Sequence, residues 1–593
     1  MLRTLYDQIG RYRWAALLTP LLTAAETAVD VMIPYETALL IDRGLSAGNM
    51  PAVWHYGAVM LGMALLSLVL GVLAGRVSAY ASTGFAANLR SAMFRRIQTF
   101  SFANIDRFSA AGLVTRMTTD VQSLQSAFQQ IMRVSVRAPF RLLLSVVMCM
   151  VIHPALSLIF VVAMCILGVC LYLIISRVAR LFQEVFTRYD ALNQSVQENV
   201  QAIRVVKAFV REEHEKGKFT AAAEALYRLY TKAEGLMALN HPVMNMVMYG
   251  CIIALSWWGA HFVVGGSLTT GELTSLFTYI MSILQALMML SMIFVMLTQS
   301  AASAQRISEV LEEEPDIANP AEGLLEVADG SLEMRNVRFD YGRQETIQGK
   351  KRSALFDVSL SIRAGETIGI IGGTGSGKST LISLISRLYD PREGEVLVGG
   401  RNVKEYDLET LRRAVAVVLQ QNTLFSGTVL ENLRWGRSDA TLEECREACR
   451  LAQADEFVSE MPEGYETRIE QGGVNVSGGQ KQRLCIARAL LKRPKILILD
   501  DSTSACDTAT DALIQRAFRE ELPEMTKLII AQRISSVRSC DRILVMDNGM
   551  VSGFDTHERL LETNTLYREI CDLQHSEAGD FDAPEQGKEG GEG

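Results

Sequence analysis

Several ordinary features are scarce in this sequence. It has no CxxC pair and no His/Cys cluster at metal-ligand spacing, so no cysteine-based metal site is predicted. Ten cysteines are scattered through 593 residues, and four of them, Cys149, Cys165, Cys170 and Cys251, fall inside apolar runs. They read as small buried hydrophobes in a reducing compartment. Excess positive charge is also missing: 58 Lys and Arg against 66 Asp and Glu leave a net charge of −8. That balance offers no broad attraction to a phosphate backbone and argues against a nucleic-acid partner. The opening "MLRTLYDQIGRYRW" lacks the short apolar core and small-residue cleavage site of a signal peptide. It reads as an interfacial helix, residues 1–13, leading into a membrane span.

What the chain has in quantity is apolar sequence, 49% of all residues. Runs able to cross a bilayer lie at about 14–40, 59–80, 140–152, 156–175, 243–264 and 273–297, which predicts a six-span domain over 14–305. The third run is short and is expected to start a turn or two earlier. Only His153-Pro154 divides it from the fourth, so the two should form a tight hairpin. Arg90, Arg95, Arg96, Arg107, Arg116 and Arg133 lie between spans two and three, and Arg188, Arg204, Lys207, Arg211, Lys216 and Lys218 between four and five. Those two segments are therefore cytoplasmic, and the alternate loops face outward.

Two spans carry unusual faces. On the first, Thr19, Thr23, Glu26, Asp30 and Thr37 share a side at 100° per residue, and intramembrane acids face a cavity or a partner. On the sixth, Met281, Gln285, Met288, Met292, Met296 and Gln299 share another, opposite Ile283, Leu287, Leu290, Phe294 and Leu297. Methionine adapts its shape, so such a stripe suits variable apolar ligands, although plain packing produces the same pattern. Glu26 and Asp30 with the Met stripe form a candidate substrate cavity, suited to cationic amphiphiles but equally to a lipid or a peptide.

The second half changes character. An acidic, Pro- and Gly-punctuated linker is expected over 306–330, a soluble α/β domain over 331–575 and a disordered acidic tail over 576–593. Within that domain "ETIGIIGGTGSGKSTLISLISRLY" reads as a buried strand, a glycine loop and an amphipathic helix. The loop Gly372, Gly373, Thr374, Gly375, Ser376 and Gly377 would surround phosphates with backbone N–H groups at the positive end of a helix. Lys378 would reach the β- and γ-phosphates, Ser379 would supply a hydroxyl to Mg²⁺, and Thr380 follows in the same turn. Downstream, "KILILDD" is a strand ending in Asp500, placed to hold Mg²⁺, followed at once by a second acid, Asp501.

Between the two sits "VNVSGGQKQRLCIARALLKRPK". Its "VSGGQ", Val476 to Gln480, resembles the signature of ATP-binding cassette (ABC) proteins, with Val for the usual Leu. With the phosphate loop before it and the acid strand after it, nearly the whole chain resembles an exporter of that family. The resemblance implies an α-helical six-span membrane domain followed by an α/β P-loop ATP-binding cassette, with ATP and Mg²⁺ as cofactors. It also implies that Tyr341 stacks on adenine, that Gln420 links nucleotide and metal to the membrane domain, and that Ser504 to Asp507 cross to a second subunit. Ser477, Gly478, Gly479 and Gln480 would act on the ATP of an opposite cassette. "RMTTDVQ" and "IRVVKAFVREE" would supply the cytoplasmic coupling helices.

Two residues depart from the pattern. The family has Glu after the magnesium-binding Asp, and here it is Asp501; the family has His in "IAHR", and here "IIAQR" has Gln532. Smaller departures are Gln421, after the coupling Gln, and "IEQGG" before the signature. The expectation is a half-transporter in the cell membrane with its cassette in the cytoplasm. Its own site would bind ATP and split it poorly, and its partner would be a homologous half-transporter bearing Glu and His. Multidrug or amphiphile efflux is the expected activity; the alternatives are a homodimeric lipid or peptide exporter and an ATP-gated regulatory membrane protein.

Overall fold

The computed structural model describes residues 1–341, 346–347, 350–351, 354–501 and 508–578. Their packing divides the chain into two units. Met1–Thr99 and Ser109–Glu313 form the first, while Phe100–Phe108 packs with the chain from Glu314 onward as the second.

The first unit holds six helices long and apolar enough to cross a membrane, Gly10–Leu45, Met50–Gln98, Ala110–Ile152, Pro154–Phe182, Glu212–Val264 and Thr270–Leu290. All six expected spans are present, and the helices outrun the apolar sequence. The second continues unbroken from Met50 to Gln98, 49 residues, or roughly 70 Å, more than twice the hydrocarbon thickness. The third α-helix begins at Val121, about five turns before Phe140. Arg133 therefore stands on the span itself and not in a loop.

Local chemistry fixes where the spans begin. Asn49 caps the second helix by accepting from Ala52 N, with Pro51 in the first turn. His153 accepts from Leu156 N before Pro154, which starts the fourth, and Thr269 and Glu272 form a reciprocal capping box on the sixth. Each outward loop thus stops one helix and starts the next within a few residues. Pro34 inside the first span has no N–H to give its own helix. Near it the sixth span answers two carbonyls: Ser275 donates to Pro34 O, and Tyr279 to Val31 O at 2.8 Å.

In chain order the longer strands of the second unit are β1 (Leu332–Phe339), β2 (Leu355–Ile362), β3 (Thr367–Gly372), β4 (Glu393–Val398), β5 (Val415–Val418), β6 (Ile496–Asp500), β7 (Thr526–Ile530), β8 (Arg542–Asp547) and β9 (Met550–Asp555). β2, β1 and β4 pair antiparallel in one sheet. The other is ordered β9-β8-β3-β7-β6-β5, parallel except for β9. Every residue of β6 and β7 is buried, as strands covered on both faces must be. Four neighbouring parallel strands, β3, β7, β6 and β5, consequently present their carboxyl ends side by side, where ligands bind in open α/β sheets.

Three expectations need correction. "RMTTDVQ" does not form a separate coupling helix: Arg116–Asp120 is a single wide turn that runs into the third span. Its buried Asp120 accepts from Ser303 Oγ at 2.9 Å and from Arg306 Nε at 2.7 Å, which ties the turn to the end of the sixth helix. The separate short helix is Phe102–Phe108, in the other unit. Second, the expected linker from 306 is helical to Glu312, because the sixth helix extends that far. Third, the last helix runs to Ala578, into the segment expected to be disordered from 576. The loop Ser504 to Asp507 and the tail beyond 578 lie outside the described residues.

Candidate nucleotide site and membrane polar cluster

β3 delivers the phosphate loop. The tight turn leaves no room for a side chain at its start, since a Cβ on Gly372 would stand 2.2 Å from Met546 O. At its end Gly377 takes φ +100 as it caps the helix Lys378–Ile385, a conformation that L side chains rarely adopt. Lys378 Nζ donates to Gly372 O and Gly373 O at 2.7 and 2.8 Å and to Ser376 Oγ at 3.3 Å. Burial lowers its pKa, and the nearby carboxylates of Asp500 and Asp501 pull the other way.

β6 brings the acids. Ser379 Oγ is 3.4 Å from Asp500 Oδ2, so the hydroxyl of the phosphate loop and the carboxylate from two strands away converge on one point. Hydroxyl and carboxylate oxygens are the donors that a small hard cation takes. Burial raises the Asp500 pKa, Ser379 opposes that, and Asp501 adds to it.

Asp501 follows with φ 49, a left-handed conformation that aspartate tolerates better than most residues. β7 and β5 each bring an amide to it. Gln532 Nε2 donates to Asp501 Oδ2 at 2.8 Å, and the Gln420 side chain, just past β5, hydrogen-bonds the same carboxylate. Burial still leaves the Asp501 pKa above the usual carboxylate value, against both amides. Thus the residues that sequence reading singled out as departures, Asp501 and Gln532, touch each other. Gln574 of the last helix, which sequence reading missed, clamps this loop by donating to Gln532 O and accepting from Ile534 N, each at 2.8 Å.

Tyr341 forms an aromatic edge to the site. Its hydroxyl lies 3.0 Å from Thr380 Oγ1, and its ring meets Phe339 and Tyr389 edge-on at 4.9 and 5.2 Å. A cleft of about 1060 Å³ opens here, lined by Tyr341, Gly375, Tyr389 and Asn548 and also by Asp106 and Arg107. Tyr389 donates to Asp106 at 2.7 Å, so residues of the short helix Phe102–Phe108 wall the cleft. The signal for that helix was present in "SFAN": Ser101 N donates to Asn104 Oδ1, and Asn104 N is within 3.4 Å of Ser101 Oγ, a local cap.

The signature opens the helix Gly478–Leu490. Ser477 Oγ accepts from Gln480 N at 3.3 Å, Gln480 Oε1 accepts from Ser477 N at 2.9 Å, and Ser477 and Gly478 are exposed with Gly479 half-buried. Its positive end is therefore presented at the surface of the cassette.

In the membrane unit the candidate residues separate. Glu26 is buried and its Oε1 accepts from Arg137 of the third span, forming an ion pair. Asp30 accepts from Ser67 of the second. Both acids thus have partners inside the bundle. On the sixth span Met281, Gln285 and Met292 are exposed and Met288 and Met296 half-buried; of the opposite face Ile283 is buried, Leu287 and Leu290 are half-buried and Leu297 is exposed, so burial does not divide the two faces cleanly. Arg137 was missed because its partner lies 111 residues away.

Residues 17–299 match the family model described as the ABC transporter transmembrane region, and residues 355–504 the one described as ABC transporter. An uncharacterized ABC transporter ATP-binding protein of Bacillus subtilis, YfiB, is 36% identical over 96% of this chain and 98% of its own. A multidrug efflux ATP-binding/permease protein of Mycobacterium tuberculosis is 33% identical over 95% of this chain and 46% of its own length. Among solved structures, a bacterial Atm1-family ABC exporter with ATP bound matches with a TM-score of 0.76 at 26% identity, over 98% of this chain and 99% of that one.

Proposed function

The chain belongs to the ABC transporter family, as a multi-pass membrane protein with a cytoplasmic ATPase domain, and from that premise we propose that it is the degenerate-site half of a heterodimeric amphiphile exporter. Its own site binds ATP and cleaves it slowly, while its signature helix completes the working site of a partner that carries Glu and His. The observation behind this reading is the 2.8 Å hydrogen bond from Gln532 to Asp501. The Asp carboxylate stops one methylene short of where a Glu would meet the attacking water, and a misplacement of about 1 Å can cost on the order of 10²-fold in rate. Gln532 donates a hydrogen bond but cannot carry a proton as an imidazole does.

The binding parts support retention of nucleotide. Tyr341 offers a ring to adenine, Lys378 and the loop from Gly372 to Gly377 a cradle for phosphates, and Ser477 with Gly478 and Gly479 a helix end for the partner's ATP. Ser379, Asp500 and Gln420 would hold Mg²⁺, which when bound neutralises charge on the transferring phosphate. The similarity to a multidrug efflux protein favours drug-like amphiphiles as cargo.

Single-turnover ATP hydrolysis tests the reading. The purified chain should bind ATP with little cleavage, and Asp501→Glu combined with Gln532→His should raise the rate by about 10²-fold. Brisk turnover by the unaltered chain, with no dissimilar partner present, would contradict it.

A further inference from the structure

The charges inside the bundle do not match one another. The third span carries Arg133, Arg137 and Arg141 at i, i+4 and i+8, one stripe of an α-helix. Arg137 is held by Glu26, and Asp30 is occupied by Ser67. Among the described residues Arg133 and Arg141 have no acid partner. Arg133 lies against the second span, with Nη1 3.8 Å from where a Cβ on Gly75 would stand. Arg141 is the more telling of the two: its Nε is buried and makes no hydrogen bond, and Ser145 Oγ, one turn further on the same face, is equally unsatisfied.

Position excludes a snorkelling role for Arg141. It stands eleven residues before the outer end of its helix at Ile152, about 16 Å along the axis, near the middle of a hydrocarbon layer about 30 Å thick. A charge there that reaches neither surface marks a ligand path or a functional pair. Guanidinium groups bind carboxylate, sulfonate or phosphate through paired N–H bonds. Of the acids, Glu26 Oε1 already faces Arg137 and is packed against the second span, where a Cβ on Gly71 would lie 2.9 Å away, so only its buried Oε2 is left without a hydrogen bond, against two guanidinium groups with no acid partner among the described residues.

We propose that Arg133 and Arg141, on either side of the Glu26–Arg137 pair, form a binding site for an anionic headgroup, so that the amphiphiles this exporter carries are acids. The assignment rests on the exporter reading for transport but stands on its own as a binding site. It replaces the cationic preference that Glu26 and Asp30 suggest in the sequence alone.

The test uses the full chain in phosphatidylcholine nanodiscs and three probes with one apolar body: pyrenebutyrate, pyrenebutanol and pyrenebutyl-trimethylammonium, followed by fluorescence anisotropy. The anion should bind about tenfold or more tightly than the alcohol, and the cation no better than the alcohol. Arg141→Gln should remove that advantage and Arg133→Gln reduce it, while affinity for the alcohol and for a fluorescent ATP analogue, which report an intact fold, stays unchanged. Equal affinity for anion and alcohol, or an advantage that survives both substitutions, overturns the proposal. In discs containing phosphatidylglycerol, an advantage that persists supports a diffusing substrate; one that disappears assigns the site to lipid headgroups and overturns the substrate reading. In inverted vesicles carrying this chain and its partner, charge-blind export would sink this inference alone. Absence of any ATP-driven export would sink the exporter reading and leave the binding result in place.

Discussion

Both halves of the chain bury acids, and they treat them in opposite ways. In the membrane bundle Glu26 sits on Arg137 and Asp120 on Arg306, so each carboxylate is matched by a guanidinium and ties two helices together. In the cassette Asp500 meets the hydroxyl of Ser379, Asp501 meets the amides of Gln532 and Gln420, and Lys378 spends its hydrogen bonds on Gly372, Gly373 and Ser376. Burial raises the pKa of both cassette acids. Glu26 and Asp120, closed on guanidinium groups, tie helices together, whereas Asp500 and Asp501, faced by neutral groups where burial disfavours their charge, would gain from a cation.

The largest effect that could break this contrast lies in the bundle. Arg137→Leu should strand Glu26 and cost about 3–5 kcal/mol, and adding Glu26→Leu should recover most of it, because a buried pair is worth little against apolar packing of similar volume. Thermal unfolding in detergent measures both. A double variant as unstable as the single would mean that Glu26 does something other than tie the helices. Next in size is Lys378→Ala in the cassette. Removing a charged donor from the phosphates should weaken binding of a fluorescent ATP analogue by about 1.5–3 kcal/mol, roughly 10- to 150-fold. Unchanged affinity would place the nucleotide elsewhere.

The same contrast explains what could be read from the sequence. The phosphate loop, the acid strand and the signature are each contiguous, because one strand or one helix end must present several groups at once; the fold then brings β3, β6, β7 and β5 together. Even the contact between Asp501 and Gln532 follows from adjacent parallel strands, since both residues lie just past the ends of β6 and β7. The membrane chemistry has no such grammar. Glu26 and Arg137 belong to different spans and meet only through helix packing, so the acid looked available and Arg133 looked like a loop charge. Extension of the third helix to Val121 moved Arg133 into the span and made Arg116–Asp120 part of a helix end, with Phe102–Phe108 left as the separate element.

That short helix offers the smallest effect and the finest test. Phe102–Phe108 is held in the cassette unit by the Tyr389 to Asp106 hydrogen bond, by Phe102 beside the Tyr389 ring at 6.2 Å, and by Asn104 Nδ2 donating to Glu314 O at 3.2 Å. Tyr389→Phe removes only the first of these, because the ring stays in contact with Phe102, Phe339 and Tyr341. The loss should be about 1 kcal/mol, which appears as roughly fivefold faster amide exchange within residues 102–108 and no change in β3 or β6. Since Asp106 and Tyr389 also line the cleft beside Tyr341, a nucleotide stacked there should slow the same amides in the unaltered chain. Exchange that ignores both the substitution and the nucleotide would show that the Tyr389 hydroxyl does not hold residues 102–108, leaving the Phe102 ring contact and the Asn104 to Glu314 hydrogen bond among the ties that do, and that nucleotide at Tyr341 does not reach this helix.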